Sequence, residues 1–231
     1  TVWNYTTGDD VYSSPTIANG VVYVGSIDGK IYALDSDSGE LVWSYKTGGG
    51  VASSPVVADG IVYVGSYDRK VYALNEENGE FIWSFATNDI VISRPEVAQG
   101  LVCVGSWDGS LYALSASNGR LMWSHSTGSK IDSSPAIVEG VLYIGSHDGV
   151  LYALNASTGM TGYDFEFHNS IIWKYTTSKQ ILLSSAAVAE GKVFFGSYDH
   201  KVYALDAKTG SLNWSFETGL PVVSSPTVLD S

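Results

Sequence analysis

The stretch SSPVVADGIVYVGSYDRKVYALNEENGEFIWSFAT, Ser53–Thr87, decides the fold. Val56-Val57-Ala58 is a short apolar run ending at Asp59-Gly60. Ile61 to Val64 is a second run, broken at Tyr67-Asp68-Arg69. Val71-Tyr72-Ala73-Leu74 is a third, closed by the polar turn Asn75 to Gly79, and Phe81 to Phe85 is a fourth, closed by Thr87-Asn88. Short runs rich in Val, Ile and Tyr, separated by turn residues, predict four antiparallel strands joined by hairpins. The gaps between them are too short for helices.

The unit recurs along the chain. Tryptophans stand at Trp3, Trp43, Trp83, Trp123, Trp173 and Trp214, and Gly25-Ser26 returns as Gly65-Ser66, Gly105-Ser106, Gly145-Ser146 and Gly196-Ser197. Ser13-Ser14-Pro15 returns in every unit, with Ser93-Arg94-Pro95 and Ser184-Ser185-Ala186 as departures. A four-stranded unit of about forty residues is a propeller blade. With strands a to d running outward from the channel, an all-β propeller is expected, with complete blades at 13–47, 53–87, 93–127, 133–177 and 184–218 in one domain over 1–231. A sixth blade is split between 1–7, a d strand carrying Trp3, and 224–229, an a strand. Because closure removes exposed sheet edges, a longer parent propeller or a two-stranded remnant is expected to complete the ring.

Each d-strand tryptophan follows a small Ala and a Gly at fixed spacing, as in Ala73, Gly79 and Trp83. Trp43, Trp83, Trp123, Trp173 and Trp214 therefore read as docking residues, their indoles lying flat against the backbone of a neighbouring blade.

These segments resemble the tryptophan-docking motif of the quinoprotein, or pyrroloquinoline-quinone (PQQ) type, propeller repeats. The stretch from Ala33 to Trp43 and the pair Val62-Tyr63-Val64-Gly65-Ser66 and Val71-Tyr72-Ala73-Leu74 carry the resemblance, which covers essentially the whole chain. It implies one of two functional kinds. One is the PQQ-dependent dehydrogenases, with PQQ and Ca²⁺ as cofactors, a catalytic Asp and often a disulfide between adjacent cysteines. The other is non-catalytic scaffolds, including the lipoprotein of the outer-membrane-protein assembly machinery and prokaryotic surface proteins.

Cys103 is the only cysteine, so that disulfide cannot form within this chain; it occupies the register of Tyr23, Tyr63, Tyr143 and Phe194 and reads as core. Asp35-Ser36-Asp37-Ser38-Gly39 begins like a calcium loop, but its register matches Asn75 to Gly79 and it reads as a turn. Asp28, Asp68, Asp108, Asp148 and Asp199 recur at the b–c hairpin tips as turn residues. No catalytic residue and no metal ligand is assigned. The net charge of −12 excludes a nucleic-acid backbone binder, and no apolar run reaches the roughly 20 residues of a membrane span.

Function is expected where the repeat diversifies. The d–a and b–c connections share one face, and there the residue before the recurrent Asp changes: Ile27, Tyr67, Trp107, His147, Tyr198. Arg94 replaces a channel-lining Ser, with Glu96 or Asp132 as its expected acid, or an anionic ligand instead. Tyr67, Arg94, Trp107, His147 and Tyr198 are thus the candidate ligand or partner face. On the opposite face, the insertion around Met160 to Ser170 offers Tyr163, Phe165 and Phe167 as a second partner site. Three sequons, at Asn4, Asn155 and Asn213, favour an extracytoplasmic location. The reading is a non-enzymatic protein-interaction scaffold. The alternatives are a fragment of a PQQ-dependent dehydrogenase and a carbohydrate-binding propeller that stacks sugars on its rim.

Overall fold

The computed structural model describes residues 2–156 and 171–228. They form five four-stranded sheets, each a meander in the order a-b-c-d with every neighbouring pair antiparallel. In the second blade the strands are Val56–Ala58, Ile61–Gly65, Lys70–Asn75 and Phe81–Ala86. The short inner strands of successive blades lie beside one another around a central channel. The chain is therefore an all-β propeller assembly, and no sheet joins its first blade to its last.

The indole seats hold the blades together. Trp43 lies against Gly79 of the following blade, where an added Cβ would come within 2.6 Å of the ring. Its Nε1–H donates to the Glu76 carbonyl at 2.9 Å. Trp83 repeats this on Gly119 and Ala116 O, and Trp173 on Gly210 and Ala207 O. The seat needs glycine twice over, because the turn residue also has a positive φ, +73° at Gly79. A bulge between Ala73 and Leu74 lets Trp83 pair with Ala73 while the turn opens beneath the incoming ring. Tyr23 and Tyr63 tilt against Trp43 and Trp83 with centroids 5.8 Å apart.

Two seats differ. Trp123 is buried, yet its Nε1–H has no hydrogen-bond partner among the described residues. The sequence of the next blade's c–d connection, outside the described residues, carries the insertion, and Cys103, wholly buried, stands where Tyr23, Tyr63, Tyr143 or Phe194 accompanies the indole of the other blades. Burial drives the Cys103 thiol pKa far up, so it behaves as a core atom. Trp214 departs from the docking expectation. It is 45% exposed, where the four preceding blade tryptophans are at most 8% exposed, because no blade follows it among the described residues.

The expected sixth blade forms no sheet. Residues 2–7 and 222–228 carry no strand, since neither has an inner or outer neighbour to pair with. Both still occupy blade positions. Trp3 fills the Gly39 seat and donates to Ser36 O, and Val222 packs where a Cβ on Gly196 would stand. Tyr163, Phe165 and Phe167 lie outside the described residues.

A second latch runs through the b–c turns. The recurrent aspartates do more than shape a hairpin: Asp28, Asp68, Asp108, Asp148 and Asp199 each accept a hydrogen bond of 2.5–2.7 Å from a tyrosine hydroxyl four residues on. Four of them also accept the amide of Gly8, Gly48, Asn88 or Ser178, at the end of the preceding d segment. Burial alone would raise the Asp28 and Asp199 pKa values. The donated hydrogen bonds outweigh it and hold both carboxyls below the usual range. Asp35, in the loop that mimics a calcium site, spends one carboxylate oxygen on the amides of Asp37 and Ser38, as a turn does.

Replacing Trp83 by Ala should cost about 3–5 kcal/mol in urea unfolding, and Trp214→Ala clearly less, because only the first empties a filled seat. The depressed aspartate pKa values favour the folded state above the unfolded carboxylate pKa of about 3.9. That stability is lost as pH falls through the folded values. Urea midpoints should therefore drop below about pH 4, and less steeply in Asp28→Asn and Asp199→Asn, measured as midpoint against pH.

Candidate functional site

The d–a connections are held between the b–c turns of the two blades they join. The Val51 amide donates to Ser26 O of the first blade, while the Tyr67 amide of the second donates to Gly50 O. The same pair of bonds recurs with Val91 and Trp107, Ile131 and His147, and Ile181 and Tyr198. Gly65, in the Gly-Ser step, is required because a Cβ there would meet Val91 at 2.4 Å. At the variable position the backbone thus does the structural work and the side chain is left free. Tyr67 and Tyr198 use that freedom to face solvent, 38% and 39% exposed.

Trp107 and His147 are half-buried and meet at a residue that the sequence offered only as a partner for Arg94. Asp132 accepts the Trp107 Nε1–H on one carboxylate oxygen, and its other oxygen lies 2.7 Å from His147 Nε2. Lys130 Nζ stands over the Trp107 ring, 3.7 Å from its centroid. The equivalent of Asp132 in the other blades is Tyr12, Ala52, Ile92 or Leu183, so a carboxylate there is the signal that could have picked it out.

Arg94 is exposed at the mouth of the channel. Neither expected acid pairs with it. Among the described residues the only ion pair joins His147 and Asp132, and Glu96 makes no bridge to the guanidinium. Burial raises the Glu96 pKa, an effect the nearby Arg94 charge only partly opposes. The channel is a cavity of about 720 Å³ lined by Arg94, Glu96, Asp132 and the inner serines. Around the mouth, amides donate to the next blade's hydroxyl, from Ser14 to Ser54, Arg94 to Ser134, Ser134 to Ser185 and Ser185 to Ser225, at 2.9–3.0 Å. Arg94 is the one break in the hydroxyl series.

The structure thus gathers Arg94, Trp107 and His147 around the third and fourth blades and leaves Tyr67 and Tyr198 on either side. A family model described as outer membrane protein assembly factor BamB matches residues 1–53 and 46–163. The chain belongs to the PQQ-repeat propeller family. A second model of that repeat, described as the glucose/ethanol/alcohol dehydrogenase beta-propeller domain, matches residues 124–223. No curated protein matches the chain.

Among solved structures, BamB from Moraxella catarrhalis is similar at 23% identity and a TM-score of 0.77, over 95% of this chain and 68% of that one. The computationally designed Ika8 protein is similar at 19% identity and 0.77, over 94% of this chain and 65% of that one. A quinohemoprotein alcohol dehydrogenase from Pseudomonas putida HK5 is similar at 19% identity and 0.73, over 92% of this chain and 42% of that one. These likenesses bear on the fold alone, and the chain spans only part of each protein.

The PQQ-repeat family implies PQQ with Ca²⁺ in its dehydrogenases. The donor set here does not fit that centre: among the described residues no three His, Cys, Asp or Glu side chains group to hold a metal ion, and Asp132 is already occupied by Trp107 and His147. No helix among the described residues is long and apolar enough to cross a membrane.

Asp132→Ala leaves two half-buried donors without their acceptor and should cost about 1–3 kcal/mol in urea unfolding. Ala52 occupies the same position in the second blade, so the loss should come from the polar contacts and not from a clash.

Proposed function

We propose that this chain is a non-enzymatic scaffold that binds a protein partner through the d–a and b–c face, outside the cytoplasm. The observation that carries the reading is the division of labour on that face. Backbone hydrogen bonds fix the loops, and the side chains at Tyr67, Trp107, His147 and Tyr198 differ from blade to blade. A surface held rigid by its backbone and varied in its side chains suits recognition. Exposed tyrosines offer large amphipathic contact area at small entropic cost.

The match to a family model described as an outer membrane protein assembly factor supports both the scaffold role and a location at the cell envelope. The match of residues 124–223 to a dehydrogenase propeller domain favours the second reading, a dehydrogenase fragment, but among the described residues no three His, Cys, Asp or Glu side chains group to hold its metal ion. Carbohydrate stacking on Trp107 is a weaker reading, because Lys130 already covers a face of that ring.

The test immobilises the chain and a Tyr67→Ala, Trp107→Ala, Tyr198→Ala variant, with Asp37→Ala, Glu77→Ala on the opposite face as control. A partner from envelope extract should be captured by the parent and the control and lost by the face variant. Equal capture by all three, or dye reduction on adding PQQ and Ca²⁺, would overturn the reading.

A further inference from the structure

We infer that Arg94 is the seat for a single carboxylate side chain that a protein partner inserts into the mouth of the channel. This deepens the scaffold reading and rests on it. The guanidinium is exposed in a cavity of about 720 Å³ whose only other charged lining groups are Glu96 and Asp132. Neither lies within ion-pair distance of Arg94, and no side chain among the described residues hydrogen-bonds the guanidinium. Asp132 is turned to Trp107 and His147 instead.

Five planar donors without an acceptor form a fork that matches a carboxylate in two parallel hydrogen bonds. The serines around the mouth are engaged with one another through their hydroxyls and amides, so the circuit is rigid before any ligand arrives. Lys130, in the neighbouring d–a loop, is engaged over the Trp107 ring, which leaves Arg94 the one cation lining the cavity.

The partner's chemistry follows from charge. The chain carries −12 overall, and Asp9, Asp10 and Asp89 lie in the d–a connections of this face. A strongly acidic segment would be repelled there, whereas one carboxylate flanked by basic residues meets Arg94 at the centre and acidic groups around it. The occupant is therefore an isolated Glu or Asp within a basic segment of a protein.

Arg94→Ser is a clean variant, because serine holds this position in the other blades and supplies the hydroxyl missing from the circuit. The chain has three arginines, Arg69, Arg94 and Arg120, so the Arg94 Nε–H resonance is assignable by its loss in that variant. The probes are the peptide acetyl-Lys-Gly-Glu-Gly-Lys-amide, its Gln counterpart and free glutarate, each titrated against the labelled chain by NMR. The Glu peptide should move the Arg94 signal and leave Arg69 and Arg120 still. The Gln peptide and the Arg94→Ser chain should bind at least about tenfold more weakly.

Equal binding of the Gln peptide, or of the Glu peptide to Arg94→Ser, would overturn the inference. Tighter binding of glutarate than of the peptide would assign the seat to a small anion and overturn it as well. Envelope capture separates the two readings: a partner retained by Arg94→Ser but lost by the aromatic face variant leaves the scaffold standing without this seat. Peptide binding that depends on Arg94, with no partner captured, fails the scaffold alone.

Discussion

An indole that occupies the space of a missing side chain is the constraint on which the rest depends. Trp43, Trp83 and Trp173 each reach the following blade and lie where any Cβ on Gly79, Gly119 or Gly210 would stand. Each also donates to a carbonyl in the same turn. The contact joins a d strand to a c–d turn in the next repeat, so it is long in sequence yet identical from blade to blade. Stability in such an array is a sum over neighbours. Its weak point among the described residues is the end of the array, at the uncovered Trp214.

The second consequence is a face with spare side chains. The d–a loops are wedged between two b–c turns by paired amide bonds, and the Asp–Tyr latch secures the same turns from the other side. Loops fixed in this way can change their side chains without losing the fold. The Trp107, Lys130, Asp132 and His147 group, with Arg94 beside it, arises in two adjacent blades at positions that change from blade to blade. The capacity to recognise something and the stability of the array are therefore drawn from different atoms of the same loops.

Much of the architecture was legible because the repeat states each requirement several times. The strand runs of residues 53–87, the Gly-Ser steps and the tryptophan period each name a contact that recurs. What recurs for two reasons is harder to read. Asp68 shapes a turn, and that sufficed to explain it, so its bonds to Tyr72 and to the Gly48 amide went unseen. Arg94 lies two residues from Glu96 in sequence, which suggested a pair. The two make no ion pair, and the guanidinium stays exposed at the mouth. The link between Asp132 and His147 spans two strands and the turn between them, and only the departure of Asp132 from the residues at its register in other blades hinted at it. Trp214 has the sequence of a docked residue, and its exposure follows from the absence of a described neighbour.

The seating of the indoles can be read directly from hydrogen exchange at their Nε1–H groups, resolved by nitrogen-15 NMR of the folded chain. The Trp43, Trp83 and Trp173 protons should exchange slowly, protected by the carbonyls of Glu76, Ala116 and Ala207, and that of Trp214 should exchange fast. Rapid exchange at all four would contradict the account.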